Sequence, residues 1–390
     1  MKTSKLSKLI KYLPAVFLIF VLGAGLLVNA KTAFNSFRNS VSARDFSGLE
    51  KDFSDNLFLR RRFIGLNGTF AKITGLKDYY RNKNIYVDSS NYVMGIYPYT
   101  TTDYEYEETV ALYDFLKKNN INLLYVNKPV KYTDDSYTEE EFALESFANR
   151  NSDLFLERIR EAGVPAIDLR ENLKDDGLNI KDMFYRTDHH WTAPAGFWAS
   201  KVMSNGLNNY CGYNIDLSIY DEDQYDFTHY ENCWVGEQGQ MISEAYIGRD
   251  DYTLIRPKYD TNYTMNIDGA DTDGDFNLFI NDYTFSETNV TDMSWHYAYG
   301  LYNTVNHNAD YGKVLMLTDS YDNVTVPFVS LGVRELDNLQ MRDMVDDFDL
   351  KEYILEKGYD TVIISYAQFM IGAHDNPVSS NYRMFAFDGN

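Results

Sequence analysis

Two short segments hold residue types that acyl chemistry requires. The first, Tyr185-Arg186-Thr187-Asp188-His189-His190-Trp191-Thr192, runs into a helix expected to start near Ala193. The second, Val314-Leu315-Met316-Leu317-Thr318-Asp319-Ser320-Tyr321, is an apolar strand leading straight into a polar turn. A serine at the C-terminal tip of a buried parallel strand sits where open α/β sheets bind ligands. Its hydroxyl is a weak nucleophile at neutral pH, so it needs an imidazole to take its proton and a carboxylate to fix the imidazole's tautomer. Asp188 and His190 stand two apart. In an extended segment such residues point to one side, which lets the carboxylate reach Nδ1 of His190 and leaves Nε2 for Ser320.

Neighbouring residues have plainer readings. His189 is expected to point away from this group, satisfied by a hydrogen bond. Trp191 either packs under the following helix or floors a sugar site. A metal held by Asp188, His189 and His190 would need a further ligand, and His229, His296, His307 and His374 are scattered without ligand spacing. Asp271-Thr272-Asp273-Gly274-Asp275 lacks the glycine position and closing Glu of a calcium loop and reads as an acidic surface turn. Cys211 and Cys233 are the only cysteines. Neither sits in a strand-to-helix elbow, and an oxidising compartment would permit a disulfide between them.

The elements that must position these residues alternate in type. The sequence predicts a hairpin from Ile85 to Asp88 and Tyr92 to Tyr97, and helices over Glu105 to Lys118 and Glu139 to Glu161. Strands are predicted over Ile121 to Val126 and Ala166 to Leu169. After an acidic, Tyr-rich stretch from about 208 to 308, the pattern resumes. It continues with a strand at Lys313 to Leu317, a short helix near Asn323 to Ser330, a helix around Leu350 to Lys357 and a strand at Thr361 to Tyr366. Alternating strands and helices imply a mainly parallel sheet. The stretch 208–308 reads as an insertion or lid, and the tyrosines dense in Tyr97 to Tyr106 and around Tyr297 to Tyr302 could stack on sugar rings.

The 390 residues carry 36 Lys plus Arg against 58 Asp plus Glu, a net charge of −22. A surface this acidic repels phosphate, which excludes a nucleic-acid partner. The first thirty residues differ from the rest: Lys2, Lys5, Lys8 and Lys11, no acidic residue, then an uncharged run from Tyr12 to Ala30. Such a run would cross a bilayer as a helix, and the lysines before it predict a cytoplasmic N-terminus with an extracellular body. Val28-Asn29-Ala30 also has the form of a signal-peptidase site, so a cleaved signal is the alternative to a single-pass anchor. Residues 31–80, including a helix over Phe46 to Leu66, would connect that end to a catalytic domain over 81–390.

Asp188-His189-His190-Trp191 resembles the signature of bacterial DHHW proteins, and the strand entering Asp319-Ser320 resembles the first block of SGNH hydrolases. Thr318 stands where that block usually has Gly. The stretch Phe53-Ser54-Asp55-Asn56-Leu57-Phe58-Leu59-Arg60 and the strand order extend the resemblance over most of the chain beyond the anchor. The Asp-His element precedes the serine, an order similar to the permuted domain of alginate O-acetylation proteins. The resemblance implies an SGNH-like, flavodoxin-like α/β fold with helices on both faces of the sheet. It also implies transfer of acetyl groups to an extracellular polysaccharide through acetyl-Ser320, with no cofactor and with a membrane-bound O-acyltransferase as donor. His190 would be base and then acid, Asp188 would orient it, and backbone N–H groups near Ser320 and Tyr321 would hold the oxyanion. Tyr321, Trp191, Arg342 and Asn323 are candidate substrate contacts, although Asn323 also suits a helix cap and Arg342 a solvated surface. A carbohydrate acetylesterase using the same residues, and a non-catalytic glycan-binding scaffold, are the alternatives.

Overall fold

The computed structural model describes residues 29–42, 60–75, 79–80, 84–133, 146–281, 300–345, 347–372 and 380–387, with single positions 49 and 56. The chain divides into two compact units, Met1–Leu76 and Lys77–Asn390. In the first unit, residues 29–42 are helical and a helix spans Arg60–Thr74, which covers the end of the connector helix expected over Phe46 to Leu66 and runs beyond it; most of Phe46 to Leu59 lies outside the described residues. The apolar run expected to cross a membrane lies, up to Val28, outside the described residues. Among the described residues no helix is long and apolar enough to cross a membrane.

The second unit opens with a small antiparallel sheet of β1 (Tyr79–Tyr80), β2 (Ile85–Val87) and β3 (Val93–Gly95), the expected hairpin. Next come a helix, Asp103–Lys118, β4 (Asn122–Lys128), a helix, Ala148–Glu161, and β5 (Ala166–Asp168). The helix expected from Glu139 starts at Ala148, and residues 134–145 lie outside the description. A helix, Ala193–Cys211, leads to β6 (Tyr225–Trp234) and β7 (Asp250–Pro257), which form a separate antiparallel pair. Then follow β8 (Tyr263–Ile267), β9 (Ala270–Gly274), β10 (Leu301–Asn306), β11 (Lys313–Thr318), β12 (Glu335–Leu339) and β13 (Thr361–Ala367).

The central sheet has the order β5-β4-β13-β11-β12-β10-β8-β9. From β5 to β12 every pairing is parallel, and β10, β8 and β9 join antiparallel. The fold is SGNH-like α/β. β8, β9 and β10, which fall within the segment read as an insertion, therefore extend the sheet. Alternation along the strands splits the core in two. Leu124, Val126, Val314, Met316 and Ile363 pack with Phe197 and Met203 of the Ala193–Cys211 helix. Leu123, Tyr125, Leu315, Leu317, Val362 and Ile364 face the other way, onto Leu112, Phe155 and Ile354 of three helices. Both faces are thus covered, as a near-continuous apolar strand such as β13 requires. Register then brings the ends of β4, β11 and β13 to one edge: Thr318 lies beside Ser365, and Ala367 beside Lys128.

Candidate active site

At that edge β11 ends and Asp319 turns the chain into a short 3₁₀ helix, Ser320–Val324. Asp319 caps it: its Oδ1 accepts from Tyr321 N–H at 2.9 Å, while the Asp322 carboxylate reaches back to Asp319 N–H. This reciprocal capping is the local reason the strand stops where it does. Thr318, in the position usually held by Gly, is fully buried and donates its hydroxyl to Asn338 of β12 at 2.7 Å.

The other segment folds back on itself. Phe184 bridges Trp191, and Tyr185 N–H donates to His190 O. Thr192 then caps the Ala193–Cys211 helix, Pro194 occupies its first turn and Gly212, at φ 76°, ends it. The two segments are locked together by Trp191, whose Nε1–H donates to Tyr321 O at 2.7 Å, and by Tyr321, whose hydroxyl donates to His189 O at 2.6 Å.

Between them lies a continuous hydrogen-bonded line. His190 Nδ1 is 2.7 Å from Asp188 Oδ1, and His190 Nε2 is 2.8 Å from Ser320 Oγ. With Nδ1–H donated to the carboxylate, Nε2 accepts from the serine hydroxyl. Asp188 Oδ1 also accepts from His190 N–H, and Oδ2 from Glu237 N–H at 2.7 Å. Burial alone would raise the Asp188 carboxyl, but His190 and His189 outweigh it and hold it well below the usual carboxylate range. Burial lowers His190, His189 adds to that, and Asp188 opposes it, leaving the imidazole below its usual value. A neutral base facing a serine, steadied by an ionised carboxylate, is equipped to take a proton near neutral pH.

The other candidates divide. His189 does not point away: its ring centroid is 3.9 Å from that of His190, and its Nδ1 lies 2.9 Å from Asp188 Oδ1 without hydrogen-bond geometry. Trp191 and Tyr321 are each 1% exposed, so neither is a platform for a sugar ring; each is buried because its polar tip ties the two segments. Tyr321 N–H is taken by Asp319, which removes it from the expected oxyanion donors. Asn323 is buried with Nδ2 lacking an acceptor among the described residues. Asn323 stands three residues after Ser320 in the 3₁₀ turn, a spacing at which side chains eclipse. Arg342 is half-buried and donates to Gln340 Oε1 at 2.9 Å. Cys211 and Cys233 are both free thiols.

Asp188, His189 and His190 offer ligand atoms within 4.8 Å of one another, close enough to chelate a cation. The carboxylate is already engaged by His190 N–H, His190 Nδ1 and Glu237 N–H, so its hydrogen bonds orient the His190 ring.

Several supporting residues carried no signal in sequence. Lys128, at the end of β4, is fully buried and contacts Asp319 and Asp322. Asp250 accepts from the backbone N–H groups of Arg186 and Thr187 and from the Thr187 hydroxyl. Gly236 donates to Thr187 Oγ1, and a Cβ built there would lie 2.2 Å from Asp188 Oδ2.

Comparisons with known proteins agree with this architecture. Residues 102–209 match the family model of the SGNH hydrolase-like domain of the acetyltransferase AlgX, a span that contains Asp188 and His190 and ends before Ser320. The structure of Bacillus cereus PatB1 with a sulfonyl adduct superposes with a TM-score of 0.63 at 20% identity, covering 78% of this chain and 99% of that one. A DHHW family protein from Eubacterium siraeum superposes with a TM-score of 0.57 at 16% identity, covering 80% of this chain and 98% of that one. No curated protein matches the sequence.

Proposed function

We propose that this chain is an O-acetyltransferase that moves an acetyl group onto hydroxyls of a cell-surface or secreted polysaccharide through acetyl-Ser320. The observation that carries the reading is the unbroken line from Asp188 through His190 to Ser320 Oγ at the carboxyl edge of a parallel sheet. The match of residues 102–209 to an acetyltransferase domain supports acetyl as the group.

In the first half-reaction Ser320 Oγ attacks the acetyl carbonyl carbon while its proton passes to His190 Nε2. The bond to the donor's oxygen breaks, and His190 returns the proton to that leaving group. In the second, a sugar hydroxyl gives its proton to His190 and attacks acetyl-Ser320, and Ser320 leaves reprotonated. Charge on the carbonyl oxygen would be met by Ser320 N–H and Asn323 Nδ2, donors fixed before reaction begins. Asp188 orients His190 and offsets the positive charge it gains. Every proton in the cycle is taken up or given back by His190, so the cycle as written calls on no metal or organic cofactor. The basic end and apolar run of residues 1–30 fit a single-pass anchor with the catalytic unit extracellular, where a membrane-bound O-acyltransferase would hand over the acetyl group.

The test compares the full chain with Ser320→Ala on 4-nitrophenyl acetate, with and without an acceptor oligosaccharide. Serine-dependent release should fall by about 10³-fold or more in the variant. Acetyl-Ser320 should be found by mass spectrometry, and the acceptor should gain acetyl. Release to water alone, with no acetylated sugar, would replace transfer by esterase action; release that survives Ser320→Ala would remove the serine from the reaction.

A further inference from the structure

Beneath the serine lies a charged cluster that the proposed chemistry does not use. Lys128, Asp319, Asp322 and Ser365 come from the ends of β4, β11 with its turn, and β13, and each is at most 1% exposed. The Lys128 ammonium donates to Asp319 Oδ1 at 2.8 Å, to Asp322 Oδ2, and to Ser365 O at 2.9 Å, so all its hydrogens are directed. Asp319 Oδ2 accepts from Ala367 N–H at 2.6 Å, and Asp322 Oδ1 from the Ser365 hydroxyl at 2.9 Å. Both carboxylates are therefore bound on each side. Replacing such a group by apolar side chains often costs nothing in stability, so its presence calls for another explanation.

The explanation lies in which atoms it fixes. Asp319 and Asp322 are the reciprocal caps of the turn that begins at Ser320, and Lys128 joins their two carboxylates. Burial already pushes the Asp322 carboxyl up to about 7, with Asp319 adding to the rise and Lys128 opposing it; without that cation Asp322 would take up a proton and the bonds that join the two caps would be lost. The Lys128 ammonium also lies 6.0 Å from the Trp191 ring and 5.8 Å from the Tyr321 ring, the two residues that lock the serine's turn to the His190 loop.

We propose that Lys128 is a positioning residue for acyl transfer: through Asp319 and Asp322 it fixes the turn that aims Ser320 Oγ at His190 and sets Asn323 Nδ2 beside it. The inference rests on the serine reading above. It extends that reading to a residue that touches neither substrate nor the reacting atoms.

The experiment reads the nucleophile directly, without needing an acetyl donor or acceptor. An aryl sulfonyl fluoride forms an S–O bond to Ser320 Oγ as the S–F bond breaks, with the serine proton passing to His190. The labelling rate is compared between wild type and Lys128→Met/Asp322→Asn, which removes one positive and one negative charge and leaves the cluster's formal charge unchanged. The double variant should keep its circular dichroism yet label about 30-fold more slowly. Its kcat on 4-nitrophenyl acetate should fall by a similar factor with KM nearly constant, a split that general loosening of the fold would not give. Ser365→Ala, which removes only the bond to Asp322 Oδ1, should fold normally and label a few-fold more slowly; it decides the matter if the double variant fails to fold. Wild-type labelling rates in the folded double variant, or in Ser365→Ala should it stand alone, would overturn the proposal. If wild type itself does not label at Ser320, the serine reading fails first, and Lys128 is then a structural cation only.

Discussion

The turn that carries Ser320 and the loop that carries Asp188 and His190 are joined by the His190–Ser320 hydrogen bond and by the ties of Trp191 and Tyr321, yet they are held differently. The serine's turn grows out of the sheet: its caps, Asp319 and Asp322, are tied by side chains from adjacent parallel strands. The Asp-His loop lies off the sheet and is held by a distant part of the chain, β6 to β7, largely through backbone N–H groups and one carboxylate. Gly236 and Glu237 donate to Thr187 and Asp188, and Asp250 gathers Arg186 and Thr187. The nucleophile thus inherits the rigidity of the core, whereas the base depends on how closely two loops approach. Mutations should therefore act on the two halves in different ways, and the loop half should lose activity before it loses stability.

The sharpest way to break this contrast is Gly236→Ala. Its φ of −68° is open to alanine, so backbone conformation costs nothing; only the 2.2 Å approach of a Cβ to Asp188 Oδ2 does. The carboxylate must move, and His190 with it. A displacement of this order should lower kcat/KM by about 100-fold. Thermal unfolding should change little, because the Ser320 turn and both halves of the core are untouched. A large loss of melting temperature with activity per folded molecule preserved would show that β6 to β7 props the fold and not the base.

Asp250→Asn should have a smaller effect on activity and a larger one on stability. The amide keeps the volume but presents an N–H₂ where either Thr187 N–H and its hydroxyl or Arg186 N–H donates. Leaving a buried donor without an acceptor costs about 1–3 kcal/mol, measured by chemical denaturation. The loop would keep its Gly236 and Glu237 anchors, so kcat/KM should fall by about tenfold, between wild type and Gly236→Ala. Equal losses in the two variants would mean that the loop is held as one unit, without separable ties.

What the sequence made legible follows the same division. Asp188, His190 and Ser320 could be read because each lies in a local pattern, a two-residue spacing or a strand running into a turn, and the parallel strands because β11 and β13 are apolar on both faces. Residues whose meaning is a contact across the fold could not. Lys128, Asp250 and Gly236 are of this kind, since each acts on a segment distant in the chain. β9 and β10 were hidden by composition: β10 buries Tyr302, Thr304 and Asn306, and β9 is exposed throughout, so neither alternates in hydrophobicity. Tyr321 and Trp191 suggested sugar contacts because aromatic side chains with polar tips serve binding and packing equally well; only their burial decides between the two.

The smallest expected effect tests the electrostatics of the loop half. A carboxylate beside an imidazole ordinarily raises it, so a simple Asp-His pair should lose activity on acidification at or above the ordinary value of about 6.5. Here burial and His189 outweigh Asp188 and leave His190 lower. The base must be neutral to act, and a lowered pKa keeps it neutral further into acid. The acid limb of kcat/KM for 4-nitrophenyl acetate should therefore fall below about pH 6.5. His189→Gln removes one of the two lowering influences and should move the limb upward while the plateau rate holds. An acid limb above 6.5 in the wild type, or one that His189→Gln shifts downward, would mean that the carboxylate governs the imidazole. The tight closure of β6 to β7 over Asp188 would then have no electrostatic consequence for the base.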